Sequence, residues 1–340
     1  MKKSIVVLLL FSVLASNVFA QLTFSGEAYA GFQIEKPYNA GETVSAVHRD
    51  EGAPKFEFIA TAVRENYGIK LDTTFQTTNP FNLNGIFGWV DFLNNTIRLS
   101  VGKISDAKWV SSLDPDHEYF FDKITGFRID YKTPLEGLSI GAAFPANDFD
   151  FDRFVRKFIF GATYAQALFN SVIAYDIGNN GKFLFGFNFT GIDELTSAGV
   201  QLLAINLATW DSESPGYWGE IHINEKIGYR IMRPLTVSLL AGQKYYAEPN
   251  VDGDDNSNLA LSFALSASYR IISNLIASLT LELSSPNKFD QVDFAITPCV
   301  EYSLKGPALL YVQYEFSLVD IGDTKQDNHR FGFGIDIMAF

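Results

Sequence analysis

Residues 67–75 read YGIKLDTTF. Tyr67, Ile69, Leu71, Thr73 and Phe75 take the odd positions, and Gly68, Lys70, Asp72 and Thr74 the even ones. A strand turns successive side chains to opposite faces, so this period of two describes a ribbon between an apolar and a polar medium. The pattern recurs along the chain. Ile97, Leu99 and Val101 alternate with Thr96, Arg98, Ser100 and Gly102, and Phe127, Ile129 and Tyr131 with Gly126, Arg128 and Asp130. Within GKFLFGFNF, Phe183, Phe185, Phe187 and Phe189 share one face.

Extending this reading outward predicts eighteen strands, near 22–36, 55–65, 67–76, 86–93, 96–103, 125–132, 138–144, 154–164, 167–175, 182–190, 199–208, 217–231, 235–246, 258–270, 275–283, 291–304, 308–319 and 329–340. Merging two weak hairpins leaves sixteen, and either even count puts both termini on one rim. Connections alternate in length. Those at 93–96, 133–137, 232–234, 272–274 and 305–307 are short, and Asn94-Asn95 suits the left-handed geometry of a tight turn. Those at 37–54, 104–123, 145–153, 209–216, 247–257 and 320–328 are long and polar. Short turns on one rim and long loops on the other characterise a membrane β-barrel.

Composition narrows the class further. MKKSIVVLLLFSVLASNVFA, residues 1–20, has Lys2 and Lys3, an apolar run and a small-residue end at Ala20, the form of a secretory signal. The expected mature domain is 21–340. Without Lys2 and Lys3, 24 basic residues face 39 acidic ones, a formal charge of −15, which disfavours nucleic acid as a partner. The single cysteine, Cys299, excludes an intrachain disulfide and a cysteine-based zinc site. No later apolar run reaches the length of a membrane helix. A tilted strand spans a membrane with about 9–11 residues, so eighteen strands fit the chain with room for loops.

A soluble two-sheet sandwich also alternates. Strand number, the one-sided loop lengths and tyrosines near strand ends favour closure instead, because a closed sheet satisfies every backbone group inside hydrocarbon. Tyr29, Tyr131, Tyr164, Tyr175, Tyr229, Tyr245, Tyr246, Tyr269, Tyr302 and Tyr311 are the expected interfacial girdle. The last residues, FGFGIDIMAF, read as the closing strand paired with the first, LTFSGEAYAGFQIE. Phe331, Phe333, Ile335 and Ile337 are expected to face lipid, with a bulge near 337–339 needed to turn Phe340 the same way. The predicted fold is an all-β transmembrane antiparallel barrel of 16 to 18 strands.

The run FGWVDFLNNTIRLSVGKISD, followed by a loop and GFRIDYKTPLEGLSIGAAF, resembles the general diffusion porins of Gram-negative outer membranes, and the signal segment and terminal Phe340 agree. The resemblance is best over 86–175 and at the two ends. It implies an outer-membrane barrel that passes ions and small hydrophilic solutes, usually a homotrimer, embedded in lipid and lipopolysaccharide. It also implies that the loop after the fifth strand folds inward and narrows the pore. Eighteen strands depart from the usual sixteen of that family.

In this sequence that loop is ISDAKWVSSLDPDHEYFFDKI, 104–124. It carries Asp106, Asp114, Asp116, Glu118 and Asp122 against Lys108 and Lys123, with Trp109, Leu113, Tyr119, Phe120 and Phe121 as anchors to the wall. Lys70, Arg98 and Arg128 stand on inward faces of nearby strands, and the resemblance places Lys103 as a cation at the rim. Acids on a loop facing bases on a wall set a transverse field across a narrow aqueous gap, the means by which charged pores select solutes. With the acidic mature charge, cation preference is expected.

Other features carry less. Asp252, Asp254 and Asn256 in DGDDNSN lack the glycine and terminal glutamate of a calcium loop. His48, His117, His222 and His329 are scattered without metal spacing, and Cys299 reads as a small buried or lumenal residue. No hydrolase signature, cofactor or metal is expected, so the chain is not read as an enzyme. Two alternatives stay open: a channel selective for sugars or peptides, and a surface adhesin or structural barrel with a plugged lumen.

Overall fold

The computed structural model describes residues 21–49, 52–77, 80–106, 108–109, 113, 124–146, 158–178, 181–207, 219–246, 259–285, 292–304, 306–321 and 324–337. The signal segment, the acids Asp114, Asp116, Glu118 and Asp122, the anchors 119–121, His117, the 252–258 loop, the bulge near 337–339 and Phe340 lie wholly or partly outside these residues.

Alternation drives the architecture. The first strand is β1 (Gln21–Lys36), followed by β2 (Thr43–Ser45), β3 (Lys55–Arg64), β4 (Tyr67–Gln76), β5 (Asn82–Phe92), β6 (Ile97–Ile104) and β7 (Ile124–Lys132). Next come β8 (Leu138–Pro145), β9 (Ile159–Ala165), β10 (Phe169–Asp176), β11 (Lys182–Phe189), β12 (Leu195–Ile205) and β13 (Glu220–Met232). The chain continues through β14 (Leu235–Tyr246), β15 (Leu259–Ile272), β16 (Leu275–Ser285), β17 (Asp293–Ser303), β18 (Ala308–Ile321) and β19 (Thr324–Ile337). Neighbours pair in chain order, and β1 pairs antiparallel with β19 from Ala28↔Ile337 to Lys36↔His329, closing one barrel.

Nineteen strands make eighteen staves. β3 pairs the lower half of β1, Gln21↔Val63 to Tyr29↔Lys55, and β2 pairs its upper half, Gln33↔Ser45 to Glu35↔Thr43. β2 and β3 are therefore two pieces of the second stave, and residues 46–54 interrupt it. The expected external loop 37–54 is corrected accordingly: only 37–42 lies beyond the strands, and the rest belongs to the wall or turns inward. The expected long loop at 320–328 is also corrected. β18 and β19 stay paired up to Ile321↔Thr324, so these two staves rise above their neighbours.

The lower rim has connections of two to five residues, including 65–66, 133–137, 166–168 and 273–274. At 93–96, Leu93, Asn94 and Asn95 hold φ of 50°, 55° and 63°, a left-handed run that asparagine tolerates better than most residues. Pro298 sits inside β17, and the β17–β18 ladder skips from Ile296↔Phe316 to Cys299↔Gln313 around it, because proline has no N–H to donate.

The outward rows carry Phe24, Phe56, Phe75, Ile86, Val101, Ile129, Phe160, Ile173, Phe185, Leu265, Leu283, Val312 and Phe333, all exposed. A water-soluble monomer does not expose a continuous apolar surface of that kind. Tyr67, Tyr175, Tyr229, Tyr245, Tyr269, Tyr302 and Tyr314 are exposed on these outer rows. Tyr29 and Tyr311 leave the expected girdle: both turn inward, and Tyr311 is 1% exposed. No helix among the described residues is long and apolar enough to cross a membrane; strands are the elements to consider.

Candidate functional site

Inward rows bring the basic residues of β4, β6 and β7 to one side of the lumen. Arg98 grips Asp91 with both ends of its guanidinium, Nε to Oδ1 at 2.7 Å and Nη2 to Oδ2 at 2.8 Å, and its Cζ lies 5.2 Å from the Trp89 ring centroid. This fork geometry matches a carboxylate and fixes both side chains. Arg128 donates from Nε to Asp130 Oδ2 at 2.9 Å and from Nη1 to the Asp106 carbonyl at 2.9 Å. Lys70 Nζ donates to Asp106 Oδ1 at 2.6 Å, and Lys108 Nζ stands 3.2 Å from Asp130 Oδ1.

The loop after β6 thus descends along the wall. Asp130 stands six residues below the first residue of β7, about 20 Å along the strand, and Lys108 reaches it. Asp91, Arg98, Asp106, Lys108, Arg128 and Asp130, with Asn95, Thr96, Lys132 and Ser139, surround a polar cavity of about 290 Å³. Lys103 is not among them. It shares the outward row of Leu99 and Val101, opposite Ile86, and its ammonium donates to the Leu83 carbonyl on β5.

An apolar seat holds the loop. Trp109 is 2% exposed and packs with Phe87, Ile104, Ala143, Ile159, Val172, Ala174, Leu184 and Leu203. These belong to inward rows, where a water-filled lumen calls for polar groups. Gly141 and Gly161 make room for the indole: a Cβ at Gly161 would collide with the ring, and one at Gly141 would stand 3.0 Å from it. Leu113 is buried farther round, where a Cβ at Gly199 of β12 would stand 2.7 Å from its Cδ1. The segment therefore spans the inner wall from β6 to β12. The apolar inward rows were a signal in the sequence: Val172, Ile173 and Ala174 are consecutive apolar residues in β10, a break in strict alternation.

A second inward segment was not foreseen. Residues 46–49 turn into the lumen and bring His48 and Arg49 against the closing staves. His48, 1% exposed, pairs through Nε2 with Asp336 Oδ1 on β19, and its ring meets Tyr29 and Tyr311 edge-on at 5.2 Å each. Arg49 Nη2 lies 2.7 Å from Glu301 Oε1 and 3.8 Å from Asp336 Oδ2; Nη1 is 3.2 Å from Cys299 Sγ. Its backbone N–H donates to the Tyr311 hydroxyl at 3.0 Å, and its Cζ sits 4.2 Å above the Tyr311 ring. Gly31 and Gly334 admit the Tyr311 hydroxyl, which a Cβ at either would strike. The result is a clasp joining β1, β17, β18 and β19 across the closure seam.

Fourteen and fifteen strands along, the wall changes character. The inward rows of β15 and β16 set Ser262 opposite Ser284, Ala264 opposite Glu282, Ser266 opposite Thr280 and Ser268 opposite Ser278, with 3.1 Å between the Ser266 and Thr280 hydroxyls. In an eighteen-stave closed ring these rows stand across the lumen from the charged wall.

Solved structures share this architecture. OccAB3 of Acinetobacter baumannii is similar at a TM-score of 0.62 and 11% identity, covering 94% of this chain and 100% of that one. An anion-selective porin from Comamonas acidovorans is similar at 0.60 and 13%, covering 94% and 100%. The fold is that of outer-membrane porins. OccK2 (OpdF) of Pseudomonas aeruginosa, solved in complex with glucuronate, is similar at 0.60 and 11%, covering 93% and 98%. No protein-family model matches the chain, and no curated protein matches it. At such identities the likeness is one of porin fold, and the chemistry of the lumen rests on this chain's own residues.

Proposed function

We propose that this protein is an outer-membrane porin, a water-filled channel for passive diffusion of ions and small hydrophilic solutes, exported by residues 1–20 and seated in lipid and lipopolysaccharide. One observation carries the reading: a single closed sheet has an apolar outer surface and, behind it, a cavity lined by Arg98, Arg128, Lys108, Asp91, Asp106 and Asp130. Only a wall between oil and water needs both faces. A plugged adhesin or structural barrel shows no conductance in a planar bilayer; stepwise single-channel currents support the pore.

The ion preference follows from pairing. Lys70, Arg98 and Arg128 each already hold a carboxylate or carbonyl, so they do not form a free anion path. The acids Asp114, Asp116, Glu118 and Asp122 and the mature charge of −15 then favour cations. A KCl gradient is expected to give a reversal potential on the cation side, whereas zero or anion-side reversal refutes this. Arg98→Gln with Arg128→Gln strips Asp91 of its guanidinium, leaves Asp130 with Lys108, and is expected to move the reversal potential further toward the cation limit. An unmoved potential means that these pairs do not sit in the ion path.

The hydroxyl rows of β15 and β16 favour a second reading, selectivity for a hydroxylated solute such as a sugar. Serine and threonine exchange hydrogen bonds with sugar hydroxyls without a net field. Concentration-dependent block of the current by a monosaccharide or sugar acid supports selectivity; block-free current supports diffusion alone.

A further inference from the structure

One carboxylate stands on the wrong side of the wall. On β13 the exposed residues Ile227, Tyr229 and Ile231 mark the odd positions as outward, and Glu225 shares their row. It is exposed, opposite Val200 on β12 and Ala241 on β14. Its depth is central. Four residues below it is Tyr229, 50% exposed; four above is Ile221, level with Tyr245, 39% exposed. Each tyrosine is about 13 Å away along the strand, and the apolar band between two aromatic girdles is about 25 Å tall. Other charges on outward rows among the described residues, Lys36, Arg64, Lys103 and Asp327, stand at or near strand ends.

Glu225 has no hydrogen-bond or ion-pair partner among the described residues. An unpaired ionisable group facing hydrocarbon is costly and marks a contact that satisfies it. The available donor is close by. Gln243 lies on the same outward face, two residues above Ala241 on β14, and its Oε1 accepts from the Tyr245 hydroxyl at 3.1 Å. That bond occupies the amide oxygen and leaves the NH2 group to donate. Its direct neighbours across the sheet are Val200 on β12 and Ala241 on β14, with Ala198, Leu202, Leu239 and Gln243 at the diagonals and Ile223 and Ile227 above and below it on β13. Polar side chains inside a membrane hold two chains together, because their alternative is an unsatisfied group in hydrocarbon.

We propose that the outer face of β12–β14 is the contact between two copies of this chain, in which the Gln243 amide of each copy donates to the Glu225 carboxyl of the other. A two-fold interface uses one patch twice, and this patch carries both a donor and an acceptor. The proposal rests on the porin reading, because only hydrocarbon around the barrel makes a lone outward glutamate costly.

Cys299 is the only cysteine, so Cys299→Ser gives a clean background for cross-linking. Ala241→Cys in that background, oxidised in isolated outer membranes, is expected to yield a disulfide-linked pair of chains. Val312→Cys, on the outer row of β18, serves as the reference and is expected to yield none. Adding Glu225→Leu is expected to lower the linked fraction about tenfold or more, the loss of two symmetry-related polar contacts in lipid, while Glu225→Gln keeps part of it. Monomers throughout, linkage at 312 equal to that at 241, or a trimer that leaves 241 unlinked overturns the interface. If Glu225→Leu does not assemble, the 241 against 312 comparison decides alone. A mature chain that stays dispersed without detergent overturns the porin reading itself, an outcome distinct from a detergent-soluble monomer.

Discussion

Trp109→Ala is expected to raise single-channel conductance severalfold and to leave the barrel closed. The indole is the main apolar anchor of the 105–113 segment and fills the space that Gly141 and Gly161 leave open on the inner wall. Truncating a buried tryptophan costs about 3–5 kcal/mol. The barrel does not share that loss, because its ladder from β5 to β12 is backbone hydrogen bonding that the indole does not touch. The loss falls on the loop, which keeps the Lys70–Asp106, Arg128–Asp106 and Lys108–Asp130 contacts. The Lys70–Asp106 and Lys108–Asp130 pairs are part-exposed and hold less than a dry seat, so the buried Arg128 bond to the Asp106 carbonyl is the main polar tie left. The freed loop widens the gap, and a protease added to the outer side is expected to cut within 105–123 faster than in the parent. A complementary variant, Gly161→Leu, evicts the indole from the opposite side. Unchanged conductance in both variants means that the narrowest part of the lumen lies elsewhere.

The second large effect concerns Asp336. This carboxylate is 2% exposed, pairs with His48 and stands 3.8 Å from Arg49. Asp336→Ala removes the carboxylate that pairs with the buried imidazole and stands near the Arg49 guanidinium; among the described residues Glu301 still faces that guanidinium. Breaking one side of a buried pair costs about 3–5 kcal/mol. Because 46–54 interrupts the second stave, that cost appears as departure of the clasp from the seam. Cys299 reports it. Its thiol is 8% exposed and lies 3.2 Å from the Arg49 guanidinium, so a polar maleimide reaches it only when the clasp is out. A loss of about 3 kcal/mol multiplies the open population by about two orders of magnitude, and the alkylation rate is expected to rise accordingly. Asp336→Asn keeps an acceptor and is expected to rise far less. An alkylation rate unchanged in Asp336→Ala means that the clasp is held by other contacts. Unfolding at lower temperature is also expected, since the clasp ties the first stave to the last three.

Both devices lie against the inner wall, on opposite sides of the barrel. The Trp109 segment lines β6 to β12 and the His48–Arg49 clasp covers β17 to β1, leaving the charged wall and the hydroxyl wall to face each other across the remaining gap. In the proposed channel a solute meets charged side chains on one side and hydroxyls around Glu282 on the other. That arrangement favours polar, hydrated molecules and disfavours apolar ones, which gain nothing from either wall.

Period-two alternation in YGIKLDTTF and its counterparts determined the staves and their facing and bounded their number at sixteen to eighteen, because each strand is a local object whose two faces meet different solvents. The inward placement of Lys70, Arg98 and Arg128 followed from the same parity, as did the outward placement of Phe331 and Phe333. Tertiary structure decided what parity does not encode. Lys103 has an outward position and a carbonyl partner in place of the lumen; Tyr29 and Tyr311 belong to the interior. His48 finds Asp336 across 288 residues, and Trp109 finds glycines on β8 and β9. Such contacts depend on which staves closure brings together and on where a glycine leaves room, and neither quantity is carried by any short window of the chain.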